Sequence, residues 1–246
     1  MFENDTNFLD QHFLVDENII KTFIDSCEIT KDDIVLEVGP GKGVLTKYLK
    51  EQANKLLVIE KDVRLIPFLK DYDVTYRDVL HCDIPDVNKI VTSLPYSITE
   101  PFLYKLLDVK FDKLIMMCGK NFVDNLESNN TKLSIMCNLY FNYTKICDVK
   151  PDSFNPKPKV MSSLITMTKK DEGELSKKDK IVRLLYKYRY MKVKNALKEI
   201  LIKLDNLTQR QAKDIIKNYN INEDISNKLF DELSNVEVVE LYKLIN

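Results

Sequence analysis

Three acids stand at the ends of successive apolar runs in the first half of this chain: Glu37, Glu60 and Asp78. The first opens Glu37-Val-Gly39-Pro-Gly41-Lys-Gly43, which ends the run IVLEV (34–38) and leads into an amphipathic stretch, VLTKYLKEQ. Glycines so placed let the backbone turn tightly and come close to a ligand. The spacing is G-x-G-x-G, not the G-x-G-x-x-G of dinucleotide sites, and an acid beside it disfavours a pyrophosphate. A cationic, phosphate-free nucleoside cofactor fits better. Glu60 lies 21 residues after Gly39, where a carboxylate accepts hydrogen bonds from both ribose hydroxyls. Asp78 is placed to accept from an adenine exocyclic amine. Singly, each acid reads as a loop carboxylate or a helix cap. Together with the loop they suggest S-adenosylmethionine, whose sulfonium methyl is already an electrophile, so that the protein need supply only position and electrostatics.

A fourth run ends in VTSLPYSITEPF (91–102). An aromatic amine is a poor nucleophile, because its lone pair is delocalised into the ring. Methylating it requires acceptors that grip the amine hydrogens and an aromatic surface that holds the base flat. The Ser93 hydroxyl, the Leu94 carbonyl turned outward by Pro95, and the Tyr96 ring supply those parts. The base has to be single-stranded or flipped to reach them. On its own, Leu-Pro-Tyr would read as a strand-ending turn with a core tyrosine.

These residues need a scaffold that presents strand ends along one edge. The runs 34–38, 55–60, 73–78, 89–94 and 113–118 alternate with helical patterns, which predicts a doubly wound, mostly parallel sheet. IMCNLYFNYTKICDVK (135–150) and VMSSLITMT (160–168), joined by the loop PDSFNPKPK, predict an antiparallel pair at one sheet edge. A charged stretch, 169–180, reads as a linker. Beyond it the chain is helical in pattern and has no proline. The predicted domains are 1–169, binding cofactor and catalytic, and 170–246, helical.

Composition is ordinary for a globular protein, with 44% apolar and 30% charged residues. No stretch reaches the ~20 apolar residues of a membrane span, and the start, MFENDTNFLD, lacks a signal-peptide layout, so a cytoplasmic protein is expected. Five scattered cysteines and two histidines, with no C-x-x-C pair, argue against a zinc site or a disulfide framework and for buried free thiols. The net charge of −1 hides an asymmetry. Residues 1–149 hold 17 basic and 24 acidic residues, and 150–246 hold 20 and 14. Residues 177–198 alone carry nine Lys/Arg against one acid, Asp179, with Arg183, Lys187, Lys194 and Lys198 on one expected face and Leu184, Tyr188, Met191 and Ile200 near the other. That pattern suits phosphate contacts, which position RNA without reading its sequence; a solvated helix face is the plainer reading.

The chain resembles the KsgA/Erm-type rRNA adenine dimethyltransferases over almost its whole length. Gln11-His12-Phe13-Leu14 matches the family's Q-[NH]-F-L, and Glu37–Gly43, Glu60 and Asp78-Val79-Leu80 match its cofactor motifs. Ser93–Pro101 matches N-[LI]-P-Y-x-I-[ST]-x-P except at the first residue, and Phe154–Ser162 matches F-x-P-x-P-K-V-x-S. The resemblance implies a Rossmann-like class I methyltransferase fold, α/β with a small C-terminal helical domain. It further implies that His12 and Leu14 close over the methionine part of S-adenosylmethionine, with Gly39 and Gly41 beneath it, Glu60 on the ribose and Asp78 at the adenine. Ser93 stands where the family has the asparagine that meets both methyl donor and target amine, with Pro95 and Tyr96 completing that turn. Three features depart from the pattern: Ser93 itself, Cys118-Gly-Lys-Asn121 in place of a Q-K-E-like segment, and a start without the basic leader that many relatives carry before Q-[NH]-F-L. Tyr188–Leu197 resembles the KsgA side, implying dimethylation of adenines in a small-subunit rRNA hairpin during ribosome biogenesis rather than the large-subunit target of the Erm side. A monomer is implied, and no metal. The alternative left open is an assembly factor that binds rRNA and cofactor but turns over weakly or not at all.

Overall fold

The computed structural model describes residues 11–245. The acidic start, and with it the reading that it lacks a targeting layout, lies outside the described residues. In chain order the elements begin with β1 Phe13–Leu14, α1 Glu17–Cys27, β2 Ile34–Val38, α2 Thr46–Gln52 and β3 Lys55–Glu60. They continue through α3 Ile66–Leu69, β4 Val74–Tyr76, β5 Lys89–Thr92, α4 Thr99–Lys105 and β6 Lys113–Gly119. Next come α5 Lys120–Leu126, α6 Lys132–Tyr140, β7 Phe141–Val149, β8 Phe154–Asn155 and β9 Ser162–Lys169. The helices α7 Lys177–Lys187, α8 Val193–Asp205, α9 Gln209–Asn218, α10 Glu223–Asn227 and α11 Asn235–Leu244 complete the chain.

Seven strands form one sheet in the order β4-β3-β2-β5-β6-β9-β7. The first five are parallel, and β9 runs antiparallel to β6. This is the expected doubly wound sheet with an antiparallel edge. Its central strands are apolar on both faces, as strands covered on both sides must be: Val35, Leu36, Ile90, Val91, Leu114, Ile115, Leu164 and Ile165 are fully buried. Burying one such side chain is worth ~1.5–3 kcal/mol. Helix α1 lays Ile20, Phe23, Ile24 and Cys27 on that sheet. It starts at Asp16, whose carboxylate accepts from the Asn18 and Ile19 amides and from the Ser153 hydroxyl. Strands β3 and β5 flank β2, with Val38 level with both Ile59 and Thr92. The chain leaves β2 toward β3 and leaves the neighbouring β5 toward β6, in opposite directions along the sheet, and the carboxyl ends of such a pair border the ligand crevice. A separate two-stranded ribbon pairs Phe13 with Asn155 and Leu14 with Phe154.

Two compact units emerge. Residues up to 123 together with 142–169 form the sheet unit, and 124–141 together with 170 onward form the helical unit. Residues 124–141 thus leave the segment read as the first domain. The reason is α6, which the sequence reading took as the start of a strand. Thr131 and Ser134 close a capping box at its N-terminus. Ser134, Ile135, Met136, Cys137, Leu139 and Tyr140 are all buried, so the segment is apolar on nearly every side and shows no helical period. Only from Phe141 does the run become a strand.

In the helical unit, Tyr186 meets Tyr140 and Phe230 edge-on, with centroids 6.4 and 4.8 Å away. The tyrosine hydroxyls donate to backbone carbonyls, Tyr140 to Arg183 at 2.7 Å and Tyr186 to Lys132 at 2.6 Å. The expected single basic face does not form. The helix stops at Lys187 and restarts at Val193, and Arg183 lies over the Tyr140 ring and donates to the Lys170 carbonyl. The buried side of α7 is Ile181, Val182, Leu185 and Tyr186, while Leu184, Tyr188 and Met191 are half-buried and Ile200 is buried. Cys27, Cys118 and Cys137 are buried as expected, whereas Cys82 and Cys147 are only half-buried. No helix among the described residues is long and apolar enough to cross a membrane.

Candidate active site

One cleft of about 340 Å³ opens at the carboxyl ends of β2, β3 and β5. His12, Leu14, Gly39, Gly41, Glu60, Asp78, Ser93, Leu94, Pro95 and Tyr96 all line it. Residues scattered over 85 positions of the chain therefore meet on one crevice, because the parallel register brings three strand ends level.

The glycine loop has the backbone its sequence requires. Gly39 and Gly41 have φ of +69° and +58°, a region that a side chain strongly disfavours. There is also no room. A Cβ at Gly39 would come within 2.8 Å of Leu94 Cδ2, and one at Gly41 within 3.0 Å of Phe13 Cδ1. The loop is therefore packed directly against the turn after β5 on one side and the ribbon on the other.

Glu60 is 6% exposed. Its Oε1 accepts from the Lys61 and Asp62 amides at 2.7 and 2.8 Å, and its Oε2 accepts from the Gly41 amide at 3.4 Å. Burial raises its pKa, and these amides pull the other way. Glu37 is 1% exposed, and its Oε2 has no hydrogen-bond partner among the described residues. Burial pushes its pKa up to about 8; the nearby Thr46 hydroxyl, short of hydrogen-bonding geometry, offsets part of this, and the Glu60 charge adds to it. This orphaned, buried carboxyl in the cleft wall keeps its proton up to about pH 8, and a cationic ligand beside it favours the charged form. Asp78 is more exposed. It caps the short turn 79–81 through the Leu80 amide and pairs with Lys61 at 2.9 Å. Burial raises its pKa, but the Lys61 ammonium and the Leu80 amide together hold it below the ordinary value.

His12 Nδ1 donates to the Pro156 carbonyl at 2.8 Å, a partner that can only accept, so the proton sits on Nδ1. Leu14 is buried in the ribbon. On the far side, Ser93 to Tyr96 are half-buried. The strand ends at Thr92, two residues before the expected limit, so that Ser93 and Leu94 belong to the turn. Thr92 anchors that departure by donating its hydroxyl proton to the Val38 carbonyl at 3.0 Å. The Tyr96 hydroxyl is hydrogen-bonded to Ser162 Oγ.

Several lining residues had no assigned role in the sequence reading. Asp62, 6% exposed, grips Arg64 through both oxygens and accepts from Gln11 Nε2 at 3.1 Å. Its signal was an acid two residues past Glu60. Phe13 carries the Lys42 ammonium 4.8 Å above its ring. Phe154 closes the wall beside it. No local pattern marks those two, because the ribbon that joins them spans 140 residues of chain.

The sheet, its switch point and this cleft define a class I S-adenosylmethionine-dependent methyltransferase. Comparison with known proteins narrows the class. The model of the ribosomal RNA adenine dimethylase family matches residues 2–237. The chain is 33% identical to the probable ribosomal RNA small subunit methyltransferase A of Methanopyrus kandleri, over 77% of this chain and 74% of that one. It is also 33% identical to the protein of the same description from Methanococcus maripaludis, over 93% and 98%. Among solved structures it is similar to a dimethyladenosine transferase from Plasmodium falciparum, with a TM-score of 0.65, 25% identity, and coverage of 94% and 96%. The chain belongs to the ribosomal RNA adenine dimethylase family, and its cofactor is S-adenosylmethionine. Neither the site nor these relatives favours the assembly-only alternative.

Proposed function

We propose that this protein dimethylates the exocyclic amines of adenines in a small-subunit rRNA hairpin during ribosome biogenesis. The observation that carries the reading is the meeting of Glu37, Glu60, Asp78 and Ser93–Tyr96 on one cleft at the switch point of the sheet. When bound, S-adenosylmethionine supplies an electrophilic methyl group. The chain's own residues do the rest. Glu60, its geometry held by three backbone amides, takes the ribose hydroxyls. Asp78 takes the adenine amine of the cofactor, exchanging part of its pairing with Lys61. Gly39 and Gly41 hold the loop beneath the methionine part, His12 and Leu14 cover it, and Glu37 lies in the wall of the same cleft.

On the acceptor side, the Tyr96 ring holds the target base. The Ser93 hydroxyl and the Leu94 carbonyl accept the amine hydrogens, which favours a pyramidal nitrogen with its lone pair directed at the methyl group. S-adenosylmethionine held in this cleft would supply its methyl group in line with that lone pair, and the amine proton would pass to solvent once the alkylated nitrogen had become acidic. No tuned general base is required. The second methylation repeats the step with fresh cofactor. Lys187, Lys192 and Lys194 are exposed on the helical unit and suit phosphate contacts. The same reading has the protein act as a monomer in the cytoplasm. Transfer of tritiated methyl groups to purified, unmodified small subunits tests it, with mass spectrometry of the rRNA locating dimethyladenosine. Cofactor binding without methyl transfer to the small subunit would refute it.

A further inference from the structure

The fold also supplies a seat for the Tyr96 ring that none of the motif roles above covers. Resting on the reading of Tyr96 as the surface that holds the base, we propose that Ser162 is a positioning residue for the methylation step, fixing the orientation of that ring through its hydroxyl.

The argument starts from register. Gly119 and Ser162 face each other as the last pair of the antiparallel ladder between β6 and β9. Both sit where the sheet ends, beside the turn that follows β5. Gly119 leaves room for the ring beside it. A Cβ there would meet Tyr96 Cδ2 at 3.5 Å and Cγ at 3.6 Å, so a methyl is the most that fits. Ser162, fully buried, holds the other end of the same ring by its hydrogen bond to the Tyr96 hydroxyl. The ring is thus packed at its Cβ end against one member of the pair and pinned at its tip by the other. The following serine cannot share this role. Successive side chains of a strand point to opposite faces, and Ser163 Oγ donates instead to Asp148 Oδ1 at 2.7 Å.

Tyr96 itself opens a short turn, Tyr96–Ile98, between β5 and α4. A ring on such a turn keeps two free torsions unless something outside the turn fixes them. A platform held in one rotamer presents the base to the methyl donor in one pose, and small misplacements at the reacting centre are expensive in rate. The hydroxyl pair therefore contributes to kcat through orientation, without touching the reacting atoms.

The test uses the full chain with unmodified small subunits, reading kcat for methyl transfer, cofactor affinity by calorimetry, and melting temperature. Ser162→Ala and Tyr96→Phe should each lower kcat roughly tenfold with cofactor affinity unchanged. The double variant should be no worse than either single, because both remove the same interaction. Ser162→Thr should restore most of the rate, and Ser163→Ala should leave it at the wild-type value. Wild-type kcat in Ser162→Ala, or an equal loss in Ser163→Ala, would overturn the inference while leaving the site reading standing. Wild-type methylation by Tyr96→Ala would instead remove the reading on which it rests.

Discussion

Glu37 shows what one buried acid does to a protein's response to pH. Its pKa is carried from the ordinary 4.5 up to about 8, with burial as the main cause. Above 4.5 the unfolded chain gives up this proton, whereas the folded chain keeps it until about 8. The group's share of stability is therefore complete below the lower value and falls steadily as pH rises to the upper one. Glu37→Gln removes the titration and keeps the shape. Thermal melts of the cofactor-free protein from about pH 5 to about pH 9 should show the variant losing less stability than the wild type across that window. Ser93 makes the sharper catalytic prediction. Its hydroxyl makes no hydrogen bond within the described residues and lines the cleft, so Ser93→Ala should melt like the wild type. It should lose about a hundredfold in kcat, the usual consequence of deleting one well-placed polar group at a transition state. Single-turnover methyl transfer at saturating cofactor would measure it. Both residues could be named from the sequence, because strand-end acids and a strand-end turn have fixed places on such a sheet. Ser162 could not be given a role, since what defines it is a cross-strand register and not a local pattern.

The glycine loop and the turn after β5 act as one unit because they touch. Gly39 has both a left-handed φ and a Leu94 methyl where its own Cβ would be. Gly39→Ala should therefore destabilise the protein by about 1–2 kcal/mol and, by pushing Leu94, lower kcat as well as cofactor affinity. A loss confined to affinity would show that loop and turn are uncoupled. Helix α6 offers a prediction of another kind. Its start depends on the Thr131–Ser134 capping box, and Thr131→Ala should cost about 1 kcal/mol of stability, read by chemical denaturation, with cofactor affinity unaffected. The parallel strands were legible because fully covered strands are short apolar runs between turn residues. Helix α6 was not, because a helix covered on nearly all sides has lost the polar face that reveals its period, and the strand that follows it, β7, lent its own character to the whole stretch. The basic helix was misread for a related reason. Helical spacing runs on through Tyr188–Lys192 in the sequence, where the helix breaks, and Arg183 reads as a surface charge although it is stacked on Tyr140.

At the scale of the whole molecule, charge is unevenly divided. The sheet unit carries the acids that a cationic cofactor needs, and the helical segment 177–198 carries nine Lys/Arg against one acid. Lys192→Ala together with Lys194→Ala should weaken binding to small-subunit rRNA and reduce the slope of log affinity against log salt by about 1 per lysine, leaving cofactor affinity unchanged. Filter binding across a salt series measures both. The crossing of 124–141 into the helical unit was not readable in the sequence, because only packing assigns it. The small ribbon between Phe13–Leu14 and Phe154–Asn155 has one more consequence, in time rather than in space. The cofactor wall needs its first and its late motif together, so the binding pocket cannot be completed until residue 155 has emerged from the ribosome. A nascent chain truncated before that point carries every glycine and acid of the cofactor edge, yet it lacks the strand that holds His12 and Leu14 over them. Such a chain leaves the tunnel with its catalytic parts already made and its cofactor pocket still open.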